Sequence, residues 1–126
     1  MKRILLVEDD QSICELMTDV LEGDGWSVTI AGNGVEALVK MRAFDHDLVM
    51  LDLMLPILDG WGVLAERRQH AELRAVPVLV MSAGSTGGMN RATALGANGC
   101  MPKPFELVDV LARVESLRNC PGRTRA

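Results

Sequence analysis

The chain has 126 residues, the length of one ordinary domain, and its 48% hydrophobic and 24% charged residues describe a packed globule, not a disordered chain. A net charge of −4 argues against non-specific nucleic-acid binding as the main task. Three widely spaced cysteines, Cys14, Cys100 and Cys120, fit neither a disulfide framework nor a zinc site, so a reduced, cytoplasmic chain is the simpler expectation.

Four apolar residues precede Glu8, too few for a signal-peptide core, and no stretch approaches the about 18 apolar residues of a membrane span. The run from Ile4 to Val7 reads as a fully buried first strand, with Glu8, Asp9 and Asp10 at its carboxyl end. Ile13, Leu16, Met17, Val20 and Leu21 then share one helical face, with Cys14 beside it as packing. Asp10 or Ser12 can cap that helix and Gly23 can end it. Residues 26–31 alternate as a second strand, and the Gly32-Asn33-Gly34 turn leads into a helix with Val35, Leu38, Val39 and Met41 on its inner face.

Residues 48–60, LVMLDLMLPILDG, are the most informative stretch. Leu48 to Leu51 are apolar at successive positions, as in a strand covered on both faces of a parallel sheet. Asp52 interrupts the run. An ionised acid is costly inside such a strand, but tolerable at its carboxyl end, where open parallel sheets place their ligand crevice. Pro56 and Asp59-Gly60 break the chain soon after, and a third helix is expected over residues 61–70, with Leu64 inward and Arg67 and Arg68 on a solvated face. His46 and His70 are expected at the surface.

Residues 77–82, PVLVMS, form the fourth strand and end on a hydroxyl. The glycine-rich AGSTGG that follows is a poor helix former, which leaves a short helix over 89–95. Cys100-Met101 is a brief fifth strand, Lys103 lies between two prolines, and Leu107, Val108, Leu111, Val114 and Leu117 mark the buried face of a fifth helix. Residues 119–126 read as a frayed end or the start of a linker. Five strand-helix repeats imply an α/β, flavodoxin-like three-layer sandwich: a five-stranded parallel sheet of order 2-1-3-4-5 with five helices.

That order gathers Glu8, Asp9, Asp52, Ser82 and Lys103 at one crevice. Three carboxylates together either hold a proton or surround a hard divalent cation, and oxygen ligands with few protein contacts suit Mg²⁺. A lysine and a hydroxyl beside them suit an aspartate that accepts a phosphoryl group, because that transfer needs positioning and charge neutralisation above all.

The fragments ILLVEDD (4–10), LDLMLPILDG (51–60), VMSA (80–83) and GANGCMPKPF (96–105) stand in order and at characteristic spacing. Through them the chain resembles the receiver domain of bacterial two-component response regulators over about residues 2 to 118, leaving 119–126 as the tail or linker. The resemblance implies that Asp52 is the phosphoacceptor, a signalling role with at most self-catalysed phosphotransfer and autodephosphorylation. It implies Mg²⁺ held by Asp9, Asp52, the backbone carbonyl of Met54 and, through water, Glu8. Ser82 and Lys103 would contact the phosphoryl group, with Ser82 as a switch residue, and the Lys103–Pro104 bond would be cis. The donor would be a phosphohistidine on a sensor histidine kinase or a histidine phosphotransfer protein, in a direct transfer or a phosphorelay. The output would be a downstream protein, an output domain or a second copy of this domain, with no direct contact to nucleic acid or membrane.

Two features depart from the family pattern. Cys100 stands where the family usually carries the aromatic switch residue, and the segment after Ser82 is glycine-rich and about one residue short, so the following helix is expected to be short, mobile or shifted. These departures favour an alternative, a degenerate receiver used as a phosphorylation-independent docking or dimerisation module; the intact acids, hydroxyl and lysine favour the switch. A third reading, a small metal-dependent phosphatase or flavin-binding enzyme, lacks a second acid close after Asp52 and a phosphate loop after the first strand.

Overall fold

Apolar runs alternate with helical stripes along the chain, and each becomes one layer of the fold. The computed structural model describes residues 2–82, 86–103 and 105–118, with the backbone alone at 86–89 and 118. Strands β1 (Lys2–Val7), β2 (Trp26–Ala31), β3 (Leu48–Asp52), β4 (Val78–Ser82) and β5 (Gly99–Pro102) form one parallel sheet in the order 2-1-3-4-5. The helices are α1 (Gln11–Gly23), α2 (Gly34–Ala43), α3 (Gly60–Arg68), α4 (Ala71–Arg74), α5 (Thr86–Ala94) and α6 (Leu107–Arg118). The described residues thus carry six helices, not five. The extra one, α4, is a single turn, too short for any periodicity to reveal.

The sheet has a core on each face. Val49 and Leu51 join Leu5, Val7, Val63 and Val80 in one cluster; Leu48 and Met50 join Ile4, Leu6, Met17 and Met81 in the other. A strand clothed on both sides has no polar alternation to show, which accounts for the unbroken apolar run before Asp52. β1 pairs with both β2 and β3, so β1 and β3 end side by side, with Val7 opposite Leu51. The ends of local elements follow local chemistry. Asp10 caps α1 by accepting from the Ser12 and Ile13 amides (2.9 and 3.2 Å), and Asn33 caps α2 by accepting from Glu36 N–H.

Several helix faces are rotated from those expected. α2 buries Gly34, Ala37, Leu38 and Met41 while Val35 and Val39 are exposed, because Gly34 is drawn against Leu58 and turns the stripe of small residues inward. Leu16 of α1 and Val108 of α6 are exposed, and Cys14 and Val110 are buried in their stead. α5 starts three residues earlier than expected and runs through Gly87 and Gly88, tertiary packing against β4 and β5 overriding weak helix propensity.

His46 and Arg67 are buried against expectation, and Asp47 is buried beside His46. His46 and Asp47 precede β3, where Asp47 accepts the Arg3 amide (2.8 Å) and donates its own to the Arg3 carbonyl. Burial, with Arg3 adding, holds His46 below its ordinary pKa against the opposing pull of Asp47 and Asp45. Arg67, expected on a solvated face, is 3% exposed. His70 is half-exposed, with Nε2 3.1 Å from Glu66.

Candidate functional site

The carboxyl ends of β1, β3 and β4 and the residue after β5 converge. Glu8 follows β1 and is buried, Asp9 beside it is exposed, and Asp52 closes β3 at 4% exposure. One carboxylate oxygen from each of the three lies within 4.8 Å of the others. Lys103 bridges the two buried acids, its Nζ 3.1 Å from Glu8 Oε1 and 3.1 Å from Asp52 Oδ2. The other Asp52 oxygen, Oδ1, accepts the Met54 amide at 3.0 Å. Ser82 ends β4, buried, and its carbonyl accepts the Lys103 amide at 2.8 Å, tying the hydroxyl's strand to the lysine's loop.

The chain after Asp52 turns back sharply. Gly60 N–H donates to Leu53 O (3.0 Å), and a Cβ at Gly60 would stand 2.6 Å from Asp52 O, so only glycine lets α3 begin against the end of β3. Asp59 caps α3 by accepting from Gly62 N–H, which places the Asp59-Gly60 pair in structural service.

The charge balance of the pocket is incomplete. Glu8, Asp9 and Asp52 carry three formal negative charges against one ammonium. Burial, then the hydrogen bond and the charge of Asp52, push the Glu8 carboxyl up to about 7, with Lys103 pulling the other way. Burial alone would lower the Lys103 ammonium, but its bonds to Asp52 and Glu8 outweigh that and raise it. Surplus negative charge on a compact set of hard oxygens is what a small divalent cation relieves, so the residues present fit Mg²⁺.

The sequence-expected residues are therefore brought together: Glu8, Asp9, Asp52, Met54, Ser82 and Lys103 meet at one end of the sheet. Cys100 lies apart from them on β5. It is buried in the cluster that α5 covers, with Sγ 3.9 Å from Thr93 Oγ1. The Lys103–Pro104 bond, residues 83–85 of the glycine-rich segment, Cys120 and the 119–126 tail lie outside the described residues. Sequence reasoning missed Arg67, whose guanidinium donates to the carbonyls of Gly96, Arg74 and Val76 and to Asn98 Oδ1 at 2.8–3.2 Å. A signal was present, since Arg67 sits at i+7 from Gly60 on the stripe that also buries Val63 and Leu64. The Trp61 ring lies under the Arg91 guanidinium of α5, 4.4 Å from the centroid.

The profile of the response regulator receiver domain family matches residues 4–115. The chain belongs to that family. It is 38% identical, over 93% of its length, to the transcriptional regulatory protein CpxR homolog of Haemophilus influenzae, and 37% identical over 91% to the DNA-binding response regulator MtrA of Mycobacterium tuberculosis. In each case the chain spans about half the length of the curated relative, 50%. Among solved structures, a response regulator from Chloroflexus aurantiacus superposes with a TM-score of 0.89 at 31% identity, covering 94% of this chain and 98% of that one. The receiver domain of a sensor histidine kinase from Pseudomonas aeruginosa, solved with a magnesium ion coordinated in its active-site cleft, gives 0.87 at 26% identity, covering 94% and 98%. Receiver domains of two-component signalling are phosphoacceptor modules that bind Mg²⁺ in this acidic pocket, and they are not enzymes of the ordinary kind. Among the described residues no helix is long and apolar enough to cross a membrane.

Proposed function

We propose that Asp52 is the phosphoacceptor of this receiver and that Mg²⁺ is held by Asp9, Asp52, the Met54 carbonyl and, through water, Glu8. The observation that carries the reading is the setting of Asp52: a strand-end carboxylate, one oxygen held by the Met54 amide, the other by Lys103, beside two further acids. Bound Mg²⁺ would supply positive charge to the phosphoryl oxygens and relieve the repulsion among the acids.

The rest is done by the chain. The Met54 N–H and the Lys103 ammonium fix the Asp52 carboxylate before the donor arrives, so little entropy remains to be lost at the reacting centre. An Asp52 oxygen attacks the phosphorus of a phosphohistidine. A P–O bond forms as the P–N bond breaks, and the imidazole leaves with the electron pair. The aspartyl phosphate brings a charge of about −2. That charge draws the Lys103 ammonium away from Glu8 and gives the Ser82 hydroxyl an acceptor. Ser82 and Lys103 are joined through the Ser82 carbonyl, so their movement reaches β5, where Cys100 packs toward α5. We take Ser82 and Cys100 as the switch residues and the face of α5, β5 and α6 as the output surface.

The donor in this reading is a sensor histidine kinase or a histidine phosphotransfer protein in the cytoplasm. The output is a downstream protein, an attached domain or a second copy. In this reading residues 1–118 are the receiver unit and 119–126 its tail or the start of a linker. The test is intact-mass measurement of wild type and Asp52→Asn after incubation with Mg²⁺ and a small acyl phosphate. One phosphoryl adduct on wild type alone is expected. The same adduct on both proteins, or none on either with a phosphohistidine donor, would remove Asp52 from this role.

A further inference from the structure

The segment between Asp52 and α3 carries a conformation that it cannot hold by itself. Ile57 has a φ of +68°, a region that a β-branched side chain strongly disfavours. The Leu58 amide donates to Pro56 O at 2.8 Å, closing a tight three-residue turn around Ile57. Ile57 is 82% exposed, so its own side chain makes little packing that would hold it there. Such a backbone persists only where its surroundings over-determine it.

The hold comes from Leu58. Its carbonyl accepts the Gly34 amide at 2.9 Å, and its side chain packs against the core. Gly34 approaches so closely that a Cβ there would fall 2.2 Å from Leu58 O and 2.9 Å from Leu58 C. From the other side, a Cβ at Gly62 would fall 2.3 Å from Leu58 Cδ1. Leu58 is thus seated between the first residue of α2 and the first turn of α3. The same loop carries Met54, whose amide holds Asp52 Oδ1, and it returns to Leu53 O through Gly60.

We propose that Gly34 is a positioning residue for the phosphorylation site: its close seat on Leu58 holds the strained loop whose other end places the Met54 backbone against Asp52. The inference rests on the proposed role of Met54 and Asp52. It gives the turn between β2 and α2, Gly32-Asn33-Gly34, a part in chemistry occurring on a different strand. Any side chain at Gly34 must push on backbone, not on a flexible side-chain tip, so the displacement passes into the loop.

The test uses Gly34→Ala, with Gly23→Ala as the matched control, since a Cβ at Gly23 meets nothing within 4 Å. In EDTA, exchange of the Met54 and Gly60 amides is expected to quicken in Gly34→Ala and to stay at the wild-type rate in Gly23→Ala. With Mg²⁺ alone as titrant, calorimetry should give an affinity about tenfold weaker for Gly34→Ala, the usual size for loss of a group that orients a metal ligand. A lowered melting temperature with unchanged amide exchange and Mg²⁺ affinity would reduce Gly34 to a fold residue and overturn the proposal. Should Gly34→Ala not fold, Leu58→Ala decides the matter, since emptying the seat must quicken the same two amides. If wild type takes up no Mg²⁺, the site assignment fails, and the exchange arm in EDTA still judges the loop on its own.

Discussion

Buried charge stands at both ends of α3 in this receiver, and it is met in opposite ways. Near its start, Glu8 and Asp52 share a single ammonium, and the pocket is left with negative charge in excess. At its end, no carboxylate among the described residues pairs with Arg67; four neutral oxygens, from Gly96, Arg74, Val76 and Asn98, accept from its two Nη groups, while the buried Nε–H has no partner. Burial lowers the Arg67 pKa, with Arg74 adding, but a guanidinium stays charged in any protein interior. Fixed dipoles can take up most of a buried cation's donors while leaving it inert. A cluster of like charges is never settled by its own members, and that surplus is what a cation or phosphoryl group can use. The Arg67 end therefore holds structure, joining the α3–β4 connection to the turn before β5, and the Asp52 end holds chemistry.

The sharpest way to break this contrast is Arg67→Leu. It takes the donor from the part-buried carbonyls of Arg74, Val76 and Gly96, so a loss of about 3 kcal/mol, roughly 1 for each, is expected in urea unfolding. Mg²⁺ affinity of the protein that remains folded should stay at the wild-type value; a drop there would show the two ends to be coupled.

Next in size is the pH dependence of the acidic end. Glu8 is raised from 4.5 to about 7, so its contribution to stability is fully present below pH 4.5 and is lost as pH rises through about 7. In EDTA the protein should lose on the order of 2 kcal/mol across that window. Glu8→Gln should flatten the slope. With Mg²⁺ the sign reverses, since the cation binds the carboxylate form, and apparent affinity should climb over the same range. A flat denaturation midpoint from pH 5 to 8 in EDTA would count against the surplus-charge picture.

A smaller effect sharpens it. Ile57→Gly removes the side-chain cost of the left-handed backbone but adds freedom to the unfolded chain, for a net gain of about 0.5–1 kcal/mol. Unchanged or reduced stability would mean that the loop is not strained at this residue. The smallest concerns the stack between α3 and α5. Arg91→Ala should change the emission of Trp61 while costing only about 0.5 kcal/mol, as befits an exposed cation–π pair. With no tyrosine in the chain and Trp26 as the one other tryptophan, a Trp26→Phe background isolates the signal.

Most of the candidate site was legible because its residues follow apolar runs. Glu8, Asp9 and Asp52 stand at strand ends, and a parallel order that puts β1 beside β3 allows them no other meeting place. Helix faces were less legible. Val35 and Val39 satisfied the apolar periodicity, yet α2 turned its small residues inward, since hydropathy does not record how near two backbones can come. Arg67 was misread for a related reason. A long cation on a helix suits water by composition, and only carbonyl oxygens from two other segments, 29 and 31 residues away at the farthest, offset its burial.

By itself, then, the sequence determined the alternation of strands and helices, the sheet order and the identity of the acids, hydroxyl and lysine at one end of the sheet. These depend on periods of two and 3.6 and on the cost of placing charge inside an apolar run, both of which act over a few residues. Only the tertiary structure decided that Lys103 bridges Glu8 and Asp52, that Leu58 is seated between Gly34 and Gly62, and that Arg67 is buried. Those are distances between groups far apart in the chain, and they are set by how closely whole elements pack, which no local pattern of residues encodes.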